Sequence, residues 1–194
     1  MKQIDYYFFP QSPYAYMGHE RFAAMATKAG AQVRVLPMDA AKVFPATGGL
    51  PLAKRAPQRI TYRTAELQRW KAHLQLPMQL EPAFFPVAGD AAARMIISAG
   101  DNAMALAGAV MKAVWEQQRN IADEAELAAI AASVGCDGAA LLRLSKAESV
   151  QTSYDAYTQE AIAAEVFGAP TYVINGVRFW GQDRLDFVER ALII

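Results

Sequence analysis

Sulfur and imidazole are scarce in this chain. Its 194 residues include one cysteine, Cys136, and two histidines, His19 and His73. A single cysteine excludes an internal disulfide and any redox cycle that needs two thiols of the same chain. Two widely separated histidines give no metal-ligand spacing. We therefore expect no disulfide oxidoreductase and no metal centre, and the low cysteine content fits a reducing cytoplasm.

An excess of charge of one sign is also missing. The chain has 19 basic and 19 acidic residues, and no basic run is longer than Lys54-Arg55. Binding to nucleic acid or to an acidic membrane surface would need a basic patch. We therefore expect small-molecule partners and no nucleic acid.

Long hydrophobic runs are absent as well. The best candidate for a membrane span, residues 103–111, is bounded by Asp101 and Lys112 and is far shorter than the roughly 20 residues that a span requires. Asp5 stands where a secretory signal would need apolar residues. We expect an unprocessed, soluble protein with no membrane partner.

The first forty residues follow a strand, helix, strand pattern. Ile4 to Phe9 is rich in aromatic residues and is cut off by a proline, which predicts a strand. Ser12 as N-cap and Pro13 at the first helical position predict a helix over Pro13 to Ala29, with Gly30 just beyond its end. The alternation in Gln32 to Pro37 predicts a second strand.

The amino-acid composition of the chain changes twice after residue 40. Two adjacent glycines and several prolines predict a long irregular loop from Ala40 to Pro57. The Ala- and Leu-rich stretch from Ala91 to Phe167 predicts four helices. Asn175-Gly176 then predicts a β-hairpin between two short strands, and a last helix is expected from about Asp183.

This order of elements predicts an α/β protein with a thioredoxin-like fold and an inserted all-helical subdomain. We expect a discontinuous thioredoxin-like domain at 1–40 and 168–194. Residues 41–167 would form the loop and the helical insertion.

The first helix of a thioredoxin-like fold begins with a redox motif of two cysteines, and Ser12-Pro13-Tyr14-Ala15 fills that place here. A second mark of the fold is a proline, usually cis, before the third strand. Pro170 in FGAPTYV stands there, so we predict a cis Ala169-Pro170 bond.

Three segments carry a resemblance to a known family: FFPQSPYAY, PATGGLPLAKRAPQRITYRTAELQRW and VFGAPTYVINGVRFWGQDRL. They resemble the 2-hydroxychromene-2-carboxylate isomerases, a DsbA-like family related to kappa-class glutathione transferases. The resemblance implies that glutathione is the cofactor and that the substrate is a small aromatic acid. The implied reaction is a cis/trans change, in which a thiolate adds to a conjugated double bond and later leaves.

The resemblance also implies roles for particular residues. Ser12 would hydrogen-bond the glutathione sulfur. The backbone of Ala169, beside Pro170, would pair with the cysteinyl part of the tripeptide. Gln182 and Asp183 would bind its γ-glutamyl end.

Substrate contacts are less well defined by the sequence. Relatives often have a lysine and an asparagine where this chain has Pro45 and Gly49. Lys42, Lys54 or Arg55 could supply the missing charge, and spacing does not decide among them. Aromatic side chains that could stack on the substrate are Tyr14, Tyr16 and Trp180.

Two of these sequence features also have simpler structural interpretations. Ser12 is also a good N-cap, and the charged residues from Tyr62 to Lys71 look like a solvated helix face. Two other functions stay open: a kappa-like transferase that conjugates glutathione to an electrophile, and a non-catalytic glutathione-binding protein. A homodimer is also left open.

Overall fold

The computed structural model describes residues 2–193, which contain one four-stranded sheet of order β2-β1-β3-β4. Strands β1 and β2 are parallel, whereas β3 is antiparallel to both β1 and β4. The predicted strands are confirmed, with the first shifted by one residue. The strands are β1 Gln3–Phe8, β2 Gln32–Pro37, β3 Thr171–Ile174 and β4 Val177–Trp180.

Nine α-helices occur within residues 2–193. They are α1 Pro13–Lys28, α2 Ala40–Thr47, α3 Pro57–His73, α4 Asp90–Ser98, α5 Ala103–Trp115, α6 Glu124–Ser133, α7 Gly138–Leu144, α8 Glu148–Ala163 and α9 Leu185–Ala191. Single 3-10 turns occupy Leu52–Lys54, Gly100–Asn102 and Gln182–Arg184. None of the described helices is long and apolar enough to span a bilayer.

The prediction of a long loop after Ala40 is wrong, because α2 occupies its first half. Asp39 caps this helix by accepting a hydrogen bond from the Ala41 N–H at 2.8 Å, and Gly48 ends it in the left-handed conformation at φ 78°. Pro45 lies inside α2 and does not end the helix. The local capping signals therefore outweighed the count of prolines and glycines.

The prediction of four helices between 91 and 167 is also wrong, since five α-helices lie there. The missed boundary separates α7 from α8 at residues 145–147. It contains neither glycine nor proline. The final helix also starts later than predicted, because a 3-10 turn takes Gln182–Arg184 and α9 begins at Leu185.

Strand β1 contributes to two hydrophobic clusters on opposite faces of the sheet. Tyr6 and Phe8 point into the larger cluster, whereas Tyr7 and Phe9 point into the smaller one, as the two-residue period of a strand requires. The larger cluster also includes Trp115 at the end of α5. The sheet and the helices of the insertion thus share a continuous core, and the domain boundary remains a prediction.

Candidate active site

The sheet topology brings three distant chain segments to one edge. Tyr7 pairs with Thr171 in antiparallel register, so the end of β1 lies beside the start of β3. The Gly181 N–H donates to the Pro170 carbonyl at 2.9 Å, which places the end of β4 there too. Ser12, Ala169 and Asp183 consequently line one cleft.

Ser12 occupies the N-cap of α1 and is 8% exposed. Its Oγ accepts a hydrogen bond from the Ala15 N–H at 3.2 Å. A hydroxyl has two acceptor lone pairs and one proton to donate, and this cap uses only a lone pair. The N-cap interpretation and the sulfur-binding interpretation are therefore compatible.

The predicted cis bond between Ala169 and Pro170 is confirmed. A second cis bond, Phe85-Pro86, also lies on the cleft wall. The backbone N–H and C=O of Ala169 have no hydrogen-bond partner among residues 2–193. They are free to pair with an extended ligand in the manner of a neighbouring strand.

The turn after β4 begins at Gly181, whose φ of 110° favours glycine. Gln182 is 1% exposed. Arg21 holds this residue by donating to its side-chain oxygen and, at 3.2 Å, to its backbone oxygen. The Gln182 side-chain oxygen is thus turned into the fold. The N–H groups of Gln182 and Asp183 start the 3-10 turn and have no acceptor within it.

Gly18 in α1 makes room for this turn. A Cβ atom at this position would lie 2.8 Å from the Gln182 Cβ and 3.0 Å from the Tyr172 hydroxyl oxygen. We expect Gly18→Ala to lower the free energy of unfolding by about 1–3 kcal/mol because the turn must shift. Urea denaturation measures this effect. Gly30→Ala is unsuitable as a control because its φ is 59°, whereas Ala29→Gly changes the same helix without a clash.

The cleft has a volume of about 1370 Å³, larger than the roughly 300–1000 Å³ typical of a site for one small ligand. Aromatic side chains cover much of its wall. Tyr14 is half-buried, and Trp180 is 53% exposed and packs edge-on against Phe167 at 4.7 Å between ring centroids. The cleft therefore has space for a tripeptide and an aromatic molecule together.

Three of the weaker candidates lie elsewhere. Tyr16 donates its hydroxyl to Glu116 at 2.9 Å and lines a separate cavity of about 220 Å³. Lys42 forms an ion pair with Asp155 at 2.6 Å, and Lys54 is exposed outside the cleft. The aromatic candidates Tyr14 and Trp180 do reach the cleft, and so does the cation Arg55.

A row of arginines on and before α3 is the main feature that the sequence interpretation missed. Arg55, Arg59 and Arg63 all line the cleft. The solvated-face interpretation holds for Arg69, which pairs with Glu66 at 2.5 Å, but it is wrong for Arg63. The four-residue spacing of Arg59 and Arg63 was the available signal, since such residues share a helix face.

The opposite wall carries polar groups that sequence reasoning also missed. The Tyr154 hydroxyl donates to Asp90 Oδ1 at 3.1 Å. Burial raises the pKa of Tyr154, and the nearby carboxylates of Asp90 and Asp39 raise it further. Gln11, next to Ser12, has a buried Oε1 with no partner among the described residues. The α3 side of the cleft thus carries Arg59 and Arg63 together with Glu66, which pairs with Arg69, whereas the start of α4 carries Asp90.

Comparisons with known proteins agree with this geometry. The DSBA-like thioredoxin domain model matches residues 3–193. The 2-hydroxychromene-2-carboxylate isomerase of Sphingobium xenophagum is 30% identical over 193 residues, which cover 99% of this chain and 98% of that protein.

Two solved structures extend the comparison. A 2-hydroxychromene-2-carboxylate isomerase superposes with a TM-score of 0.81 at 28% identity, covering 98% of this chain and 94% of that one. The cytosolic disulfide reductase DsbM from Pseudomonas aeruginosa, solved with GSH, has a TM-score of 0.68 at 15% identity and covers 99% of this chain and 100% of its own. This chain therefore belongs to the DSBA-like thioredoxin family, in the group of the 2-hydroxychromene-2-carboxylate isomerases.

Proposed function

We propose that this protein is a glutathione-dependent cis/trans isomerase of 2-hydroxychromene-2-carboxylate-type aromatic acids in aromatic degradation. The names of the similar proteins support the reaction class. One observation in the structure carries the proposal. Ser12 presents a hydroxyl at the start of a helix, in a cleft where a thioredoxin-like redox protein would present a thiol.

The Ser12 hydroxyl would act on the sulfur of glutathione. A thiol with a pKa of about 8.5 is only about 3% ionised at pH 7. A hydrogen bond to a charged group contributes about 1.5–3 kcal/mol, and the helix N-terminus adds about 0.3–1 kcal/mol. Together they would lower the pKa of the thiol to between about 5.5 and 7. Thiolate would then be the main species at neutral pH.

The reaction needs no net change in glutathione. The cyclic hemiketal opens to a cis aryl enone, whose conjugated double bond accepts the thiolate and forms a carbon–sulfur bond. The former double bond is now single and rotates. The electron pair of the resulting enolate then re-forms the double bond and expels the thiolate, which gives trans-o-hydroxybenzylidenepyruvate. Such covalent catalysis divides one difficult step into easier ones.

The rest of glutathione would bind to free backbone groups at the edge of the sheet where Ser12, Ala169 and Asp183 line the cleft. The cysteinyl part would pair with Ala169 beside Pro170. The γ-glutamyl carboxylate would accept from the N–H groups of Gln182 and Asp183, and the Asp183 carboxylate would meet its ammonium group. Because the Gln182 side-chain oxygen bonds to Arg21, this residue would contribute mainly through its backbone.

Two further parts of the proposal concern the location of the protein in the cell and its oligomeric state. A reducing cytoplasm supplies glutathione and keeps the half-buried Cys136 as a thiol. A homodimer remains a prediction that size-exclusion chromatography with light scattering would check.

Glutathione is expected to raise the melting temperature of the protein. A ligand at 100 times its Kd stabilises by about 2.7 kcal/mol, which corresponds to roughly 5–10 °C for a chain of this size. Differential scanning fluorimetry measures the shift. A sulfur-free tripeptide analogue, with methyl in place of the thiol, is the matched control and should give a smaller shift. If millimolar glutathione produces no shift, the proposed function is wrong.

Turnover distinguishes the isomerase from the alternatives. Free thiol is counted while the substrate is consumed. An isomerase leaves the amount of glutathione constant, whereas a conjugating transferase consumes one glutathione for each product. A non-catalytic binding protein would show the thermal shift without turnover.

A further inference from the structure

Four arginines line the cleft, and only Arg184 among them has a carboxylate partner within residues 2–193, Asp183 at 3.4 Å. None of Arg55, Arg59 and Arg63 has an acidic oxygen within 4.0 Å among residues 2–193. Arg59 is exposed, whereas Arg55 and Arg63 are half-buried. A cation withdrawn from water gains most from a bound anion. The unpaired charge is therefore concentrated at Arg55 and Arg63.

Arg63 lines an aromatic part of the cleft. Its guanidinium carbon stands 5.6 Å from the centroid of the Phe85 ring. Burial lowers the pKa of Arg63, the Tyr14 hydroxyl opposes this effect, and the neighbouring charge of Arg55 adds to it. Tyr14 is only two residues from Ser12. Arg63 therefore lies against an aromatic side chain and near Tyr14, in the first turn of the helix that Ser12 caps.

We propose that Arg63, assisted by Arg55, binds the carboxylate of the aromatic substrate and selects acids over neutral aryl compounds. This inference rests on the proposed function. A planar guanidinium binds a carboxylate through two parallel hydrogen bonds, and the half-buried Tyr14 ring, which lines the same cleft, offers a surface on which the aryl group can stack. The acid would thus be held at α3 with its conjugated bond directed towards Ser12.

The arginines also provide the positive charge for which the sequence left Lys42, Lys54 and Arg55 as open candidates. Lys42 is paired with Asp155, and neither Lys42 nor Lys54 lines the cleft. The glutamyl end of glutathione is expected at Gln182 and Asp183, on another segment of the cleft lining. Arg63 is therefore available for the second ligand.

Inhibition by cinnamate and by its neutral amide, cinnamamide, tests this selection. With glutathione saturating, the wild-type protein should bind cinnamate about tenfold more tightly than cinnamamide, and Arg63→Gln should abolish the preference. The KM of the acid substrate should rise about tenfold in Arg63→Gln, with kcat little changed. Arg63→Lys should restore much of the preference because it keeps the charge.

The controls separate this inference from other roles. Arg69→Gln alters the same helix outside the cleft and should leave the preference unchanged. The thermal shift with glutathione should persist in Arg63→Gln. An unchanged preference in Arg63→Gln would overturn the inference, and so would loss of the glutathione shift, which would assign Arg63 to the cofactor. If wild-type turnover does not depend on glutathione, the proposed function itself fails.

Discussion

Replacing Ser12 with alanine is expected to lower kcat/KM at pH 7 by about 5- to 30-fold. With a thiol pKa between about 5.5 and 7, half or more of the bound glutathione is thiolate at pH 7, whereas a pKa of about 8–8.5 in the variant leaves only about 3–9% as thiolate. Steady-state kinetics with saturating glutathione measure the loss. The pH profile is more specific, because activity of Ser12→Ala should rise with pH until free glutathione ionises by itself at about 8.5. The wild-type profile should already level off near neutral pH.

The N-cap role of Ser12 needs its own control. Alanine also removes the bond from the Ala15 N–H, which costs about 1 kcal/mol of stability. Ser12→Asp keeps a good cap but has no proton to donate at pH 7, so it should be stable and nearly inactive. Ser12→Thr keeps both functions and should retain activity. Equal activity of all four proteins would show that the hydroxyl has no catalytic role.

The stability of the protein is expected to fall by about 3 kcal/mol between pH 7 and pH 4 because of one buried residue, His19. This side chain is 4% exposed, and its Nε2 lies 3.0 Å from the Met104 carbonyl oxygen. A carbonyl only accepts, so Nε2 carries the proton and Nδ1 accepts from the Tyr6 hydroxyl at 3.3 Å. Neutral His19 therefore satisfies both of its neighbours.

The direction of this effect follows from proton linkage. Burial lowers the pKa of His19 from 6.5 to about 4, and the bond to Met104 and the charge of Glu20 oppose this effect only in part. Between these two values the unfolded chain binds the proton more readily than the folded protein. Stability is therefore fully present above pH 6.5 and is lost as the pH falls towards 4.

Denaturant unfolding at several pH values measures this loss. Carboxylates also contribute in acid, so the informative quantity is the difference between wild type and His19→Gln, which should change by about 3 kcal/mol in favour of the variant as the pH falls from 7 to 4. His73→Gln, at an exposed position on α3, should follow the wild-type curve. Parallel curves for wild type and His19→Gln would contradict the assignment.

Local signals were sufficient for much of the fold. The strands and the Asn175-Gly176 hairpin follow from side-chain period and turn chemistry, which act over a few residues. At α2 the local capping signals of Asp39 and Gly48 were present, but the prolines and glycines were given more weight. Local reasoning failed at residues 145–147, where a helix ends without a glycine or proline. Tertiary packing sets such a boundary.

Some residues of the candidate site were predicted from the sequence, and others were not. The resemblance singled out Ser12 and Ala169-Pro170, and sheet register explains why these distant residues line one cleft. Which side of α3 faces the cleft depends on how the helix packs, so the charges of Arg63 and Arg69 looked alike in sequence. Lys42 likewise looked available until the fold placed Asp155 beside it.

The thiol pKa of bound glutathione measures how strongly Ser12 holds the sulfur as a thiolate. The ultraviolet absorbance of the thiolate is titrated in the complex with wild type and with Ser12→Ala. We expect a thiol pKa between about 5.5 and 7 in the wild-type complex, and we expect Ser12→Ala to return it most of the way towards about 8.5. The same pKa in both complexes, or a value near 8.5 in the wild type, would show that Ser12 does not stabilise the thiolate.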